Sequence, residues 1–260
     1  MATDAIQPNL KSRARSGTPV YRPVNKTVER AFFAGMAILL WVVVYIGFAP
    51  TYYAAGMVRA PLPNNLLHVH GAIFTLWMVV YFAQTALISA RRVAWHRTFG
   101  TIAFCLPPIM IVVGVIAGID AFGRGVKIGP LSPATSLAIP LVGIAGFAVL
   151  ITAAWRTRRR PDAHKRLILI ATTALTQAAL GRFPWGKIGS TPAVGSALAI
   201  GGLLLLVVAY DLVSLHRVHR STMWGAPLAF VVAVLAVPIG MTPPWQAFAG
   251  LLARYVAPYV

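Results

Sequence analysis

Seven long stretches of this chain carry almost no charge, approximately Ala31–Pro50, His68–Ala90, Phe99–Ile119, Ala134–Ala154, Leu167–Gly181, Pro192–Val213 and Gly225–Pro243. A helix needs about 20 apolar residues to cross a bilayer. The hydrocarbon core offers the backbone no water, so each crossing segment must close its own hydrogen bonds as a helix. None of the seven alternates with the period of two expected of a membrane barrel strand. The chain is 58% hydrophobic and 11% charged, against about a quarter charged in soluble domains. The sequence therefore predicts an all-α integral membrane bundle of seven transmembrane helices over residues 28–260. A basic tail containing Pro, Ser and Gly precedes it over residues 1–27 and is expected to be a disordered cytoplasmic segment. The first apolar run is too long for a signal-peptide core, so no cleaved signal is expected.

A net charge of +18 raises the question of nucleic acid, and the distribution of that charge answers it. Lys11, Arg13, Arg15, Arg22, Lys26 and Arg30 precede the first run. Arg91, Arg92 and Arg97 follow the second. Arg156, Arg158, Arg159, Arg160, Lys165 and Arg166 separate the fourth from the fifth, and Arg217 and Arg220 follow the sixth. Seven crossings put these 17 of the 23 Lys and Arg residues on one side and leave Arg59, Arg124, Lys127, Arg182, Lys187 and Arg254 on the other. Positive loops stay cytoplasmic. The positive-inside rule thus places the N-terminus inside and the C-terminus outside. No nucleic-acid partner is expected, because the footprint of one is a basic face on a folded domain. Trp95, Trp155, Trp224, Trp185 and Trp245 fall at run ends, where indole rings favour the headgroup boundary. The single cysteine, Cys105, rules out an internal disulfide and the Cys motifs of zinc or iron–sulfur sites.

Within the runs, Pro107 and Pro108 predict a kink in the third, with Pro140 and Pro238 doing the same in the fourth and seventh. Gly114 and Gly118 have the spacing of a close helix-packing face. The phrase "RRVAWHR" from Arg91 is echoed by "RRPDAHKR" from Arg159, both in inner hairpins, a short parallel repeat.

Histidine carries the candidate chemistry. Walker loops, dinucleotide fingerprints, HExxH and nucleophile-elbow phrases are missing. Neutral imidazole is a good axial ligand for haem iron, and His96 and His164 open the third and fifth runs at the inner boundary. Arg92, Arg97 and Lys165 beside them could pair with haem propionates. The alternative is that these side chains anchor helix ends in the headgroup layer. On the second run, 100° per residue aligns His70, Trp77, Tyr81 and Gln84 in one polar and aromatic stripe, with His68 about 200° away from His70. The fifth run offers a matching face of Thr173, Thr176 and Gln177, and Arg182 at its outer end can approach His70. These residues form either an interhelical hydrogen-bonded seam or a ligand pocket for a quinone or small solute. Asp211, the one acid inside a run, is a proton or ion-pair site with His216 and His219, and Arg217 beside them offers a further ion-pair partner.

The phrases "GFAPTYY", "LLHVHGAIFTLW", "RRVAWHRTFG", "RRRPDAHKRL" and "YDLVSLHRVHRSTMWG" resemble a widespread family of uncharacterised bacterial multi-pass membrane proteins, from about Val28 onward, a likeness that implies a bacterial inner membrane. A more distant likeness is to the transmembrane b-type cytochromes that reduce ascorbate or ferric iron, built on a four-helix core with histidines on consecutive helices. That likeness implies ligand places for His70, His96 and His164. The fourth run has no histidine, so it implies at most one bis-histidine haem b, on the inner side.

The expectation is a haem b- or quinone-associated redox protein of the membrane. The competing classes are a small-solute transporter or channel, and a non-catalytic subunit of a membrane complex. A retinal photoreceptor would need a lysine in the seventh run, and Gly225–Pro243 contains none.

Overall fold

The computed structural model describes residues 25–54 and 64–256, and its described elements are all helical. The expected tail over residues 1–27 lies almost wholly outside the described residues. Helix α1 (Lys26–Phe48) starts at Asn25, whose side chain accepts from the amides of Thr27 and Val28. It runs on as a π-helical turn over Ala49–Tyr53, where Pro50 has no amide to donate. Helix α2 (Asn65–Ser89) is capped by Asn64. Helices α3 (Val93–Ala103) and α4 (Leu106–Gly123) form one rod interrupted at Phe104 and Cys105. Pro107 and Pro108 cannot donate to the carbonyls of Ala103 and Phe104, so the expected kink falls at this break. Helices α5 (Pro133–Arg156) and α9 (Arg220–Gly240) continue unbroken through Pro140 and Pro238. Helix α6 (Pro161–Leu175) is followed by the single turn α7 (Gln177–Leu180) and a 3-10 turn at Trp185–Ile188. Helix α8 (Pro192–Leu215) is capped by Thr191. A final helix, α10 (Pro243–Val256), was not marked by any apolar run.

Six of these segments are long and apolar enough to cross a membrane: α1 with its π turn, α2, α3–α4, α5, α8 and α9. The remaining expected crossing, the fifth run, differs. Helix α6 has 15 residues, and the ladder stops at Thr176. The Thr176 hydroxyl (2.7 Å) and amide (3.0 Å) both bond to the Thr173 carbonyl, which tightens the turn and separates α7. This segment is nonetheless the centre of the bundle. Arg166, Leu167, Leu169, Ile170, Ala171, Thr172 and Thr173 are all buried. It runs beside α1 from the level of Glu29, which pairs with Lys165, to that of Gly47, where a side chain would collide with the Ala179 backbone.

Contacts sort the helix ends into two layers. One layer joins the starts of α1 and α6 to the end of α8 through Glu29, Lys165, Arg166 and Asp211. The other joins Asn64 before α2 to Asp120 near the end of α4 (2.9 Å), and Trp245 of α10 to the Ala134 carbonyl of α5 (2.8 Å). Helix α5 packs most extensively against α9, α6 and α4. Gly114 and Gly118 form the expected close face: an added Cβ would meet Ile144 at 3.2 Å and Pro140 at 3.4 Å. The outward surface is apolar. Ile38, Val42, Leu205 and Val213 are among many large hydrophobic side chains left exposed, a surface that suits lipid and would be unusual in water.

Candidate functional site: a polar seam in the bundle

The two repeated histidines occupy equivalent places. His96 is the fourth residue of α3 and His164 the fourth of α6, and each reaches back across its hairpin. His164 Nδ1 bonds to the Ala154 carbonyl of α5 at 2.8 Å. His96 meets Gln84 of α2. With its amide nitrogen toward α3, Gln84 donates to His96 Nδ1 (2.6 Å) and the His96 carbonyl (3.0 Å) and accepts from the Gly100 amide. The third hairpin is closed in a similar way: the His219 amide donates to Asp211 Oδ2 (2.9 Å), and its Nδ1 accepts from Ser221 to cap α9. His216 sits exposed in a left-handed conformation at the end of α8. All three hairpins are therefore fastened through a histidine.

A metal-ligating histidine usually donates its second ring nitrogen to a carbonyl, carboxylate or water. His164 fits that pattern, because the bond to Ala154 leaves Nε2 free. His96 does not. Its Nδ1 accepts from an amide N–H, so the neutral ring carries its proton on Nε2. Lys165 is taken as well, bonded to Glu29 (2.7 Å) and Asp162 (2.6 Å). Of the two expected haem ligands, His164 is held through Nδ1 by a backbone carbonyl and His96 through Nδ1 by the Gln84 amide. Arg92 and Arg97 lie exposed on the hairpin and on α3.

The partner of Asp211 is not the neighbouring His216 or Arg217 but Arg166, from another helix. Arg166 Nη2 and Nε lie 2.6 and 2.7 Å from Asp211 Oδ1, and Nη1 donates to the Asp162 carbonyl at 2.8 Å. The pair is sealed, with Arg166 1% and Asp211 0% exposed. Tyr210 lies under the guanidinium and stacks on Phe32 at 4.2 Å. The chain pattern Asp162-x-x-x-Arg166 places both on one helix face, but the distant carboxylate had no local signal. Outside the helices, burial and the Arg166 charge hold the His219 pKa below its ordinary value.

Of the stripe on α2, Trp77 reaches α6. Trp77 and Tyr81 are buried at 4% and 6% exposure. The Trp77 indole N–H donates to Thr172 Oγ1 at 3.3 Å, and its ring meets Phe147 edge-on. Thr172, rather than its neighbour Thr173 on the expected face, makes the cross-helix bond. His70 stacks on Phe74 at 4.3 Å, and Arg182 contributes to its electrostatic surroundings. Arg182 itself is exposed, lies over the Phe48 ring and donates to the Ala178 carbonyl. Tyr53 bonds Thr75, and Tyr52 donates to the His68 carbonyl.

Among the described residues, six buried side-chain atoms have no hydrogen-bond partner: His70 Nδ1, Tyr81 Oη, Thr173 Oγ1, Gln177 Oε1, Tyr210 Oη and Thr222 Oγ1. Four of the six lie on α2 and α6–α7. Gln177 also makes a long contact to Ser196 of α8, at 3.5 Å. Buried polar atoms are ordinarily paired, and each orphan calls for an explanation. No group of three or more metal-ligating side chains occurs among the described residues.

Fold and site together define a multi-pass, all-helical protein of membrane character, with charged groups clamped at one end and an unsatisfied polar seam through its interior. Comparison of the chain with protein-family models, with curated proteins and with solved structures finds no match.

Proposed function

We propose that this chain binds a quinone-type ligand, an apolar ring bearing carbonyl acceptors, between α2 and α6–α7. One observation carries the proposal: four unpartnered buried polar atoms lie on α2 and α6–α7, two segments bridged by the Trp77–Thr172 hydrogen bond. Tyr81 and Thr173 have hydroxyl protons to donate, His70 has a ring nitrogen, and Phe74 and Trp77 supply apolar faces. Along α2, Tyr81 lies about 6 Å from the Trp77 level in one direction and His70 about 10 Å in the other. That spread suits a ligand with polar groups at separated positions better than a small hydrophilic solute. A solute carrier has one feature in its favour, the interrupted α6–α7 segment, since broken helices often line transport sites. Haem b has the free Nε2 of His164 in its favour. A Soret band lost in both His96→Ala and His164→Ala would speak for it.

We also infer that α6–α7 is the fifth of seven crossings and that the hairpin end carrying Arg91, Arg92, Arg156 and Arg158–Arg160 faces the cytoplasm of a bacterial cell. Support comes from α6–α7 running beside α1 between the two layers and from the retention of basic hairpins.

The test is titration of a short-chain quinone into detergent-solubilised full-length protein, followed by tryptophan quenching. Saturable quenching that is reduced in Trp77→Phe, with affinity weakened about fivefold in Tyr81→Phe and in Thr173→Val for one lost hydrogen bond each, supports the reading. Linear, unsaturable quenching identical in all variants overturns it.

A further inference from the structure

We infer a specific binding site for one anionic phospholipid on the outer surface of the bundle, where α5, α6 and α9 meet at the hairpin end. Two hollows of about 620 and 340 Å³ adjoin there and share Thr157, Ser221 and Trp224 in their walls. The larger runs along the helices and is walled by Ala148, Val149, Ala153 and Leu167. The smaller opens between the α5–α6 hairpin and the start of α9 and is lined by Arg160 and Arg220. Arg156 stands at the upper rim of the larger.

The chemistry of the two hollows is complementary to the two halves of a lipid. Arg156, Arg160 and Arg220 are exposed and have no acidic partner among the described residues. The one carboxylate in the lining, Asp162, is already bonded to Lys165 at 2.6 Å. The mouth is therefore net cationic and forms a seat for a phosphate. Below it the walls turn apolar, and Trp224, exposed at the junction, sits where an indole favours the glycerol and headgroup level. Basic pockets between membrane helices are recognised sites for anionic headgroups, each Lys or Arg adding about 1 kcal/mol. A free anion would use the arginines and leave the apolar groove empty. A zwitterionic lipid would fill the groove and leave the charge unanswered. This site is separate from the α2–α6 seam and does not depend on a ligand there.

The experiment is native mass spectrometry of the full-length protein in detergent, with phosphatidylglycerol, with phosphatidylcholine of the same acyl chains, and with inorganic phosphate. The expected result is retention of one phosphatidylglycerol in preference to phosphatidylcholine. Arg160→Gln/Arg220→Gln weakens that retention about 25-fold, and Arg91→Gln/Arg92→Gln, which removes the same charge from another hairpin, leaves it unchanged. Val149→Trp, which fills the groove without altering charge, abolishes it. Melting temperatures confirm that each variant is folded. Equal loss in the two double-arginine variants, equal retention of both lipids, or full displacement by inorganic phosphate would overturn the proposal.

Discussion

Arg166 and Thr173 lie on the same helix, two turns apart, and are buried to almost the same degree, at 1% and 0% exposure. Arg166 is bonded through three nitrogens to Asp211 and the Asp162 carbonyl, whereas the Thr173 hydroxyl has no partner. The difference generalises to the regions around them. At the hairpin end Glu29, Asp162, Lys165, Arg166 and Asp211 form a connected set of ion pairs drawn from α1, α6 and α8. Along α2 and α6–α7, four buried polar atoms make no hydrogen bond. A group whose hydrogen bonds are complete is doing structural work. A buried group left open can still bond to something the chain does not itself supply.

The comparison is broken most forcefully at the ion pair. Removing one partner of a sealed pair leaves the other uncompensated at a cost of about 3–5 kcal/mol. Asp211→Asn and Arg166→Met should each lower the melting temperature sharply, or prevent isolation of folded protein. Arg166→Met/Asp211→Leu, which removes both charges, should recover most of the loss. If the single and double variants melt alike, the clamp is not the element holding α6 to α8. Smaller changes are expected where the histidines fasten hairpins. His164→Ala and Gln84→Leu each remove hydrogen bonds worth about 1 kcal/mol net, and the melting temperature should fall modestly in both. A far larger fall in His164→Ala would point to a role beyond the hairpin.

The smallest effect is one of pH. Burial and Arg166 depress the His219 pKa in the folded chain, so the unfolded chain binds the proton more readily. The contribution to stability is complete above the unfolded value of about 6.5 and is lost as the pH falls below it toward the folded value. Melting curves between pH 8 and pH 5 should therefore show a decline on the acid side. His219→Asn keeps a side chain able to cap α9 but does not titrate, so its decline should be shallower. An equal decline in both would assign the effect to other groups.

Much of this architecture was legible in the sequence because lipid imposes a simple rule on length and hydropathy. Six apolar runs coincide with helices fit to cross a membrane, and the Gly114/Gly118 face and the break near Pro107 lie where small residues and missing amides dictate. The interruption of α6 at Thr176 was not legible. No proline or glycine marks it, and it follows from a threonine hydroxyl turning back to the Thr173 carbonyl, a choice that helix-interior threonines make only in some surroundings. The Arg166–Asp211 pair was hidden for another reason: its partners are far apart in the chain, and sequence offers only neighbours, so His216 and Arg217 looked like the available partners. The stripe of His70, Trp77, Tyr81 and Gln84 was readable from helical periodicity. Periodicity could not say that Gln84 would turn to His96, or that Thr172 rather than Thr173 would take the bond from Trp77.

The claim that open polar groups in the seam serve a ligand, and closed ones serve the fold, is tested most directly by the melting temperature of Tyr81→Phe/Thr173→Val with and without a saturating short-chain quinone. Deleting two unpartnered hydroxyls should leave the ligand-free melting temperature unchanged or raised. The upward shift that the quinone produces in the unaltered protein should be largely lost. A substantial drop in the ligand-free protein, together with an undiminished quinone shift, would show that these hydroxyls hold the bundle together and that the ligand binds elsewhere.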